Sequence, residues 1–331
     1  MSGSAPVSVV IASLDDVELF ERHLPPLFRE LDRRGVDDEV VVVDDTGRNV
    51  LPAWFEAHFA AEWECGRLRC VVREANGGFA AAMLDGGQAA RHELLFAMNP
   101  DILVHEGFLD PLVEALADTT VHSSVPKILL FGDPDRIESL VEIDHDRDVA
   151  YIRQRALDGE AHRLGPRPAP VNYAIGGGML VRRDDFVRQG GFDRLYDPFY
   201  YEDVDLGFEA WRAGREVRYV PESVVEHHHR GTIKRHVDAP LVRAVIERNR
   251  YLFQWRFLDG QERVEKHVAA LQREIVDAHL RDEREELVWL ILALDRLEEL
   301  KAARARLGPA QRSYDEVCDQ SRPDPDAPRL R

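Results

Sequence analysis

Short hydrophobic runs alternate with longer amphipathic segments through the first hundred residues. Four runs are almost continuously apolar, which is typical of strands buried on both faces of a sheet. They cover residues 7–12, 39–43, 68–72 and 94–98. Between them, apolar residues at helical spacing predict helices over 16–34, 54–63 and 76–90. This alternation predicts an α/β fold whose sheet is mixed but mostly parallel and is flanked by helices.

The same pattern continues less regularly in the middle of the chain. Helices are predicted over 108–116 and 184–189, and a third runs from an acidic stretch to Gly214. Strands are predicted over 123–131 and 216–220. Between 132 and 170 charged and apolar residues are mixed and prolines cluster, which indicates short strands and loops.

Beyond Pro240 the apolar spacing is helical. One helix runs to about 258, residues 264–275 support a second, and a third begins at Asp282 and ends at Gly308. The third helix is expected to turn one apolar stripe inward, formed by Leu287, Ile291 and Leu294. The proline-rich end is expected to be disordered. These boundaries divide the chain into a main domain, a helical extension and a tail, at 1–258, 259–320 and 321–331.

Composition narrows the classes of partner. The chain has 331 residues, of which 44% are hydrophobic, and its 43 Lys and Arg against 61 Asp and Glu give a formal net charge of −18. That acidity argues against nucleic-acid binding, which depends on Lys and Arg. The three cysteines have no metal-ligand spacing, and neither a signal peptide nor a membrane span is evident. We therefore expect a cytoplasmic protein.

Polar side chains stand at the ends of two predicted strands. Asp44 and Asp45 follow the second strand, and Asn99-Pro100-Asp101 follows the fourth. Open α/β sheets bind ligands at the carboxyl ends of their strands. Carboxylate and amide oxygens there suit a hard cation such as Mg²⁺, although turns after strands also favour Asp and Asn.

An acidic helix start provides candidate bases for proton transfer. Glu202, Asp203 and Asp205 lie in the first turn of the helix that ends at Gly214. One of them can serve as a general base, or the acids can simply cap the helix. Upstream, the glycines at 176–178 indicate backbone brought close to a ligand or to a second chain segment.

Three consecutive histidines follow the strand predicted after Gly214. A strand directs alternate side chains to opposite faces, so at least one of the residues 227–229 faces each side. The histidines can serve as metal ligands or can belong to a solvated loop.

Taken together and in order, these pieces resemble the inverting nucleotide-sugar glycosyltransferases of family 2, which have the GT-A fold with a Rossmann-like nucleotide-binding half. The resemblance covers about 7–256. The sub-type with Asn-Pro-Asp is similar to bacterial rhamnosyltransferase-type members. The motifs that carry it are the opening strand, Val43-Asp44-Asp45, Asn76-x-Gly78-Phe79-Ala80, Leu95-x-x-Met98-Asn99-Pro100-Asp101, Gly190-Gly191-Phe192-Asp193, Glu202-Asp203-x-Asp205-Leu206, and Tyr219-Val220-Pro221-Glu222 leading to His227.

The resemblance implies roles for individual residues. Asp203 would be the catalytic base, with Glu202 beside it. A divalent cation, Mg²⁺ or Mn²⁺, would be held by Asp101, Asn99 and His227, with His227 preferred to His229. The nucleotide-sugar donor would contact Ala12, Leu14, Asp44, Asp45, Asn76, Gly78, Asn99 and Asp101. The acceptor would meet Gly177, Gly178, Tyr201 and Asp205, the last of which could instead orient the helix.

The implied function is metal-dependent, inverting sugar transfer in cell-surface polysaccharide biosynthesis. The donor would be a UDP- or dTDP-sugar, and the acceptor a hydroxyl of a saccharide, a lipid-linked or a small molecule. A departure from the family pattern is Met83-Leu84, where members often carry Arg-Asn.

Two alternative functions are a nucleotidyltransferase, which would need a Gly-rich basic loop after the first strand, and a non-catalytic nucleotide-binding subunit. The helical extension is expected to form a homodimer, and the chain could associate peripherally with the inner face of a membrane.

Overall fold

The computed structural model describes residues 5–154, 168–228 and 238–320. The tail predicted at 321–331 lies outside the described residues. The strands are β1 (Val7–Ser13), β2 (Glu39–Asp44), β3 (Leu68–Val72), β4 (Leu94–Met98), β5 (Ile102–Val104), β6 (Val121–Leu130), β7 (Asp133–Ile137), β8 (Val141–Asp146), β9 (Val149–Gln154), β10 (Ala169–Pro170), β11 (Gly178–Arg182) and β12 (Glu216–His227).

The helices alternate with these strands and then follow them. In the main part they are α1 (Val17–Arg34), α2 (Leu51–His58), α3 (Ala60–Glu64), α4 (Phe79–Ala89), α5 (Leu109–Ala115), α6 (Arg183–Arg188) and α7 (Glu202–Arg212). After β12 they are α8 (Ala239–Phe257), α9 (Gln261–Leu280), α10 (Val288–Leu294), α11 (Leu297–Ala305) and α12 (Tyr314–Gln320).

One ten-stranded sheet forms the centre of the molecule. Its main path runs β10-β12-β6-β11-β4-β1-β2-β3, with β5 paired to β12 and β7 paired to β6. Six of the ten strands (β1, β2, β3, β4, β6 and β12) run in the same direction. The predicted α/β fold with a mixed, mostly parallel sheet is therefore confirmed, and β8 and β9 form a separate hairpin.

The strand predictions hold where burial covers both faces. Every described residue of β2 is buried, and β1 is buried along nearly its whole length. Helix α4 lies close to this layer. A Cβ added at Gly86 would be only 2.3 Å from the Val10 side chain. The small residues of α4 thus allow the tight helix–sheet contact that their sequence indicates.

Two predicted elements differ from the structure. The single helix predicted over 54–63 is a pair, α2 and α3, because Phe59 leaves helical geometry between them. The strand predicted to end at 220 continues through Pro221 to His227. Its pairing with β6 changes register between Val220 and Val224, which allows a residue without a backbone N–H inside the strand.

The C-terminal helices differ most from prediction. The third helix is broken into a 3-10 turn, α10 and α11. The stripe expected to face inward does not: Ile291 is 64% exposed and Leu294 51%. Trp289 and Ala293 occupy the buried face instead, and Trp289 stacks on Tyr251 of α8 with ring centroids 3.9 Å apart. The prediction was wrong because helical spacing marks an apolar face without saying which face a neighbour covers.

The C-terminal helices pack on the sheet domain. Tyr314 and Cys318 of α12 belong to the main hydrophobic core, and the Tyr314 ring lies 5.2 Å from that of Phe208 in α7. Two arginines of the extension reach the loop before α7: Arg306 pairs with Asp193 at 2.7 Å, and Arg296 donates to the Arg194 carbonyl at 2.8 Å. Among the described residues, no helix is long and apolar enough to cross a membrane.

Candidate active site

The two acids after β2 are engaged by their own loops. Asp44 is buried, and its carboxylate accepts hydrogen bonds from the backbone N–H groups of Thr46, Val50 and Leu51 at 3.1–3.2 Å. These bonds shape the turn between β2 and α2. The Asp44 carboxylate is therefore already hydrogen-bonded within its own loop. Its contact with the nucleotide stays a prediction.

Asp45 connects the end of β2 to the start of α4. Its carboxylate accepts from the N–H groups of Gly77 and Gly78 at 2.9 and 3.0 Å and pairs with Arg73 at 2.8 Å. The Asn76 side chain also accepts from Gly78 N–H at 2.9 Å. Burial raises the pKa of Asp45, and these donors oppose that rise. The predicted donor-binding residues 45, 76 and 78 therefore lie together.

At the end of β1, the predicted donor contacts Ala12 and Leu14 lie beside Asp45. The Asp45 N–H donates to the carbonyl of Ser13, which stands between them, at 3.0 Å. The Leu14 N–H is turned inward and donates to Asp16 at 2.9 Å.

Asp101 and His227 meet although 125 positions of sequence separate them. The loop after β4 and the end of β12 bring His227 Nε2 within 3.2 Å of Asp101 Oδ1. The other ring nitrogen, Nδ1, lies 2.9 Å from Glu138 Oε2. Burial lowers the pKa of His227, but hydrogen bonds to the two carboxylates outweigh it and raise the pKa to about 9. Metal binding would therefore have to displace a proton from this ring.

This pair fits a divalent cation. Oxygen and imidazole ligands suit Mg²⁺ or Mn²⁺, and the 3.2 Å separation is near the ~3.0 Å between adjacent ligands of an octahedral ion. Glu138 stands where a carboxylate orients a metal-binding histidine. Among the described residues no group of three or more His, Cys, Asp or Glu side chains could hold a metal, so further ligands would have to come from elsewhere.

Asn99, another predicted metal ligand, contacts the glycine segment. The Asn99 amide lies against Gly177, where an added Cβ would be 2.3 Å from its Nδ2, and the Asn99 N–H donates to the Gly177 carbonyl at 2.8 Å. His229 lies outside the described residues. The His228 ring stacks on Phe131, with ring centroids 3.9 Å apart, whereas the His227 ring faces Asp101.

The glycine segment before β11 touches both halves of the site. Gly177 meets Asn99, as described above, and Gly178 pairs with Met98 in the sheet. On the other side, the Gly176 N–H donates to Asp203 Oδ2 at 3.0 Å. The expectation that these glycines bring backbone close to a second chain segment is therefore confirmed.

The two candidate bases differ in their surroundings. Asp203 is held by the N–H groups of Gly176 and Val204, at 3.0 and 2.8 Å. One buried oxygen of Glu202, Oε2, has no hydrogen-bond partner among the described residues, and Glu202 lines a narrow crevice with Phe79, Tyr196 and Phe199. Burial raises the pKa of both carboxyls; the charge of Asp203 adds to the rise at Glu202, while the two N–H groups oppose it at Asp203. Both groups are thus closer to the neutral range than free carboxyls.

Asp205 lies in the interior and cannot meet an acceptor directly. It is 3% exposed, accepts from the Tyr196 hydroxyl at 2.6 Å and pairs with Arg256 at 2.6 Å. Arg256 also pairs with Asp193 and Glu209, at 2.8 and 3.1 Å. The acceptor-side prediction for Asp205 is therefore corrected to its alternative, a residue that orients helix α7.

The predicted acceptor residue Tyr201 is also largely enclosed. It is buried, and its ring packs on Phe253 of α8 with centroids 5.9 Å apart. Its neighbour Tyr200 is the exposed tyrosine of the pair.

Tyr173 and Gly207 form a contact that sequence reasoning did not find. A Cβ at Gly207 would lie 2.6 Å from Tyr173 Cβ and 2.8 Å from the Asn172 carbonyl, so α7 rests directly on this backbone. Burial raises the pKa of Tyr173, and the charges of Asp203 and Glu138 add to the rise. Tyr173 thus lies within electrostatic reach of both Asp203 and Glu138.

The sequence offered few signals for these missed residues. Glu138 falls in the irregular 132–170 stretch, where no periodicity marks an inward position. Gly207, directly after the acidic motif, is a glycine inside a predicted helix, where glycine costs stability relative to alanine and can therefore indicate close packing. That signal could have found it.

Comparison with known proteins agrees with this architecture. The family model described as "Glycosyl transferase family 2" matches residues 8–188, more than half of the chain. An N-acetylglucosaminyl-diphospho-decaprenol L-rhamnosyltransferase of Mycobacterium tuberculosis is 40% identical over 155 residues, covering 44% of this chain and 50% of that protein. A pre-mycofactocin glycosyltransferase of the same species is 31% identical over 163 residues, covering 47% and 31%. The chain thus spans half or less of the length of these relatives.

Solved structures share the fold. GalNAc-T7 with UDP, GalNAc and Mn²⁺ superposes with a TM-score of 0.64 at 17% identity, covering 90% of this chain and 58% of that one. The Pyrobaculum calidifontis mannosyltransferase PcManGT with GDP-Man and Mn²⁺ gives 0.54 at 17% identity, covering 93% and 77%. The fold and the family resemblance noted from the motifs are both confirmed: this chain belongs to glycosyl transferase family 2.

Proposed function

We propose that this protein is a metal-dependent, inverting glycosyltransferase that moves a sugar from a nucleoside-diphosphate donor to an acceptor hydroxyl. One observation carries the proposal. The glycine segment 176–178 touches Asp203 on one side and Asn99 on the other, and Asn99 is two residues from Asp101, the partner of His227. A base and a cation site so arranged would act on opposite sides of one reacting carbon, the base at the attacking hydroxyl and the cation at the leaving diphosphate.

The chain's own residues carry the proton step. Asp203, deprotonated, accepts the proton of the acceptor hydroxyl as its oxygen bonds to the anomeric carbon. The bond from that carbon to the diphosphate oxygen breaks, and its electron pair leaves with the nucleoside diphosphate. The N–H groups of Gly176 and Val204 hold the carboxylate in one orientation throughout.

Asp101 and His227 would hold the divalent cation, and Glu138 would keep the imidazole oriented through Nδ1. When bound, the cation offsets the negative charge that gathers on the departing diphosphate. Two protein ligands leave coordination positions for donor phosphate oxygens, so the cation would bind well only together with the nucleotide.

The donor and acceptor classes rest on relatives. The rhamnosyltransferase relative is named for a rhamnosyl group and a polyprenyl-diphosphate-linked N-acetylglucosamine acceptor. We propose a UDP- or dTDP-sugar donor and a saccharide or lipid-linked acceptor in cell-surface polysaccharide biosynthesis. A lipid-linked acceptor would place the reaction at a membrane surface, where this chain would act peripherally from the cytoplasmic side. Residues 1–258 would form the catalytic domain, and residues 259–320 would pack against it and stabilise it.

The test is a panel of UDP-, dTDP- and GDP-sugars, each assayed for Mn²⁺-dependent donor hydrolysis and transfer. With the donor so found, Asp203→Asn should bind nucleotide normally but transfer at least ~10²-fold more slowly. Glu202→Gln is the matched control, since it removes the adjacent carboxyl and should mainly weaken acceptor use. Transfer near the wild-type rate in Asp203→Asn, with loss in Glu202→Gln, would make Glu202 the base.

A non-catalytic role would appear differently. Such a subunit would bind nucleotide with Mn²⁺ yet turn over no member of the panel, and Asp203→Asn would change nothing measurable. That result would overturn the proposed enzyme while leaving the nucleotide site intact.

A further inference from the structure

The loop that presents the acidic pair has an unusual backbone. Tyr200 and Tyr201, directly before Glu202, both have positive φ values, 69° and 80°. Residues with a Cβ rarely adopt this left-handed region, and two in succession need support from surrounding structure. The position of Asp203 therefore depends on whatever fixes the loop from 196 to 201.

A single buried amide on α8 provides that support. Asn249 is fully buried, and its Nδ2 lies 2.8, 2.9 and 2.8 Å from the carbonyl oxygens of Tyr196, Phe199 and Tyr200, so its two N–H groups serve three acceptors and one N–H is shared between two of them. Three carbonyls from one short loop converge on one side-chain nitrogen. An apolar residue at 249 would remove the donor from all three at once.

The neighbouring arginine fixes the amide itself. Arg248 Nε donates to Asn249 Oδ1 at 2.9 Å, which assigns oxygen and nitrogen of the amide without ambiguity. Arg248 Nη2 donates to the Asp197 carbonyl at 2.5 Å, so Arg248 and Asn249 both hydrogen-bond to the same loop. Arg248 is buried, and its Nη2 also donates to the Tyr196 carbonyl at 3.4 Å. Its charge is thus directed at loop carbonyls.

We propose that Asn249 is a positioning residue for transfer: its amide holds the 196–201 loop in the strained form that places Asp203 against Gly176. The catalytic part of this inference rests on the proposed function. The structural part, that Asn249 restrains the loop, does not. A residue outside the acidic motif, on a helix some fifty positions later, would then set the geometry of the base.

Gln254 provides a matched control on the same helix. It is also a fully buried amide, and it donates to the Asp148 carbonyl at 2.9 Å and accepts from the Ala150 N–H at 3.1 Å. Those bonds hold the β8–β9 hairpin and not the acidic loop. Asn249→Ala and Gln254→Ala therefore remove comparable buried hydrogen bonds with different targets.

The experiment combines hydrogen exchange with kinetics on the full chain. In Asn249→Ala, backbone amides of 196–204 should exchange faster, while in Gln254→Ala the faster exchange should be confined to the hairpin. Asn249→Ala should lower kcat by roughly 10- to 10²-fold with KM for the donor little changed, because misplacement by about 1 Å is that costly. Affinity for nucleoside diphosphate with Mn²⁺ should stay at the wild-type value.

Asn249→Asp is the second variant, since it keeps the size of the side chain and an oxygen facing Arg248 while removing the donor. It should reproduce the faster exchange and the lower kcat. Unchanged exchange at 196–204, equal kcat losses in Asn249→Ala and Gln254→Ala, or failure of both Asn249 variants to fold would overturn the inference. If the wild-type protein transfers no sugar, the proposed function fails, and the exchange comparison alone decides whether Asn249 restrains the loop.

Discussion

Replacing Gly207 by alanine should slow transfer strongly while the chain still folds. The added Cβ would lie 2.6 and 2.7 Å from Cβ and Cα of Tyr173 and 2.8 Å from the Asn172 carbonyl oxygen. These are backbone-anchored atoms, so neither residue can rotate away. Carbon atoms stop repelling at roughly 3.5 Å, so α7 must retreat by about 1 Å from the 172–173 backbone.

That retreat would carry the base with it. Asp203 lies four residues before Gly207 and therefore on the same face of α7. It would move away from Gly176, which belongs to the same backbone segment as Tyr173. A displacement of about 1 Å should reduce kcat by ~10²-fold, whereas overpacking should cost ~1–3 kcal/mol of unfolding free energy.

The assay is steady-state transfer with the donor identified from the panel, together with urea unfolding. Gly308→Ala is the control, because no atom of the described residues lies within 4 Å of its added Cβ. It should change neither quantity. A wild-type kcat in Gly207→Ala would refute the reasoning, since it would mean that the base does not depend on the position of α7.

Three further outcomes are expected. Glu138→Gln should weaken Mn²⁺-dependent nucleotide binding by about 10-fold in calorimetry, because the imidazole of His227 loses its charged partner; unchanged affinity would exclude that role. With Mn²⁺ saturating, kcat/KM should fall as pH drops through the raised pKa of Asp203, so its acidic limb should lie above pH ~3.9, and a limb at or below that value would contradict the shift. The exposed apolar face at Ile291 and Leu294 should make the chain dimeric in light scattering at tens of micromolar, and Ile291→Asp should give a folded monomer; a monomeric wild-type protein would rule the dimer out.

The order of the first strands and helices along the chain could be predicted from the sequence by itself. Strands β1, β2 and β4 are almost wholly buried, so each needs an unbroken apolar run, and such runs are visible without any partner. The polar residues that end these strands could likewise be located, because the carboxyl edge of a parallel sheet is where ligands bind. The motifs that contain Asp101, Asp203 and His227 carried the resemblance to the family.

Only the tertiary structure decided which distant residues complete the site. Glu138 joins His227, Arg256 joins Asp205, and Asn249 joins the loop before Glu202. Each pair joins segments that are far apart in the chain, and periodicity records only whether a position faces inward. The same reason explains the error at Ile291. A helical stripe shows that a face is apolar, but α8 packs against the face of α10 that carries Trp289. Which apolar face is buried depends on the shape of the partner, and that shape exists only once the chain has folded.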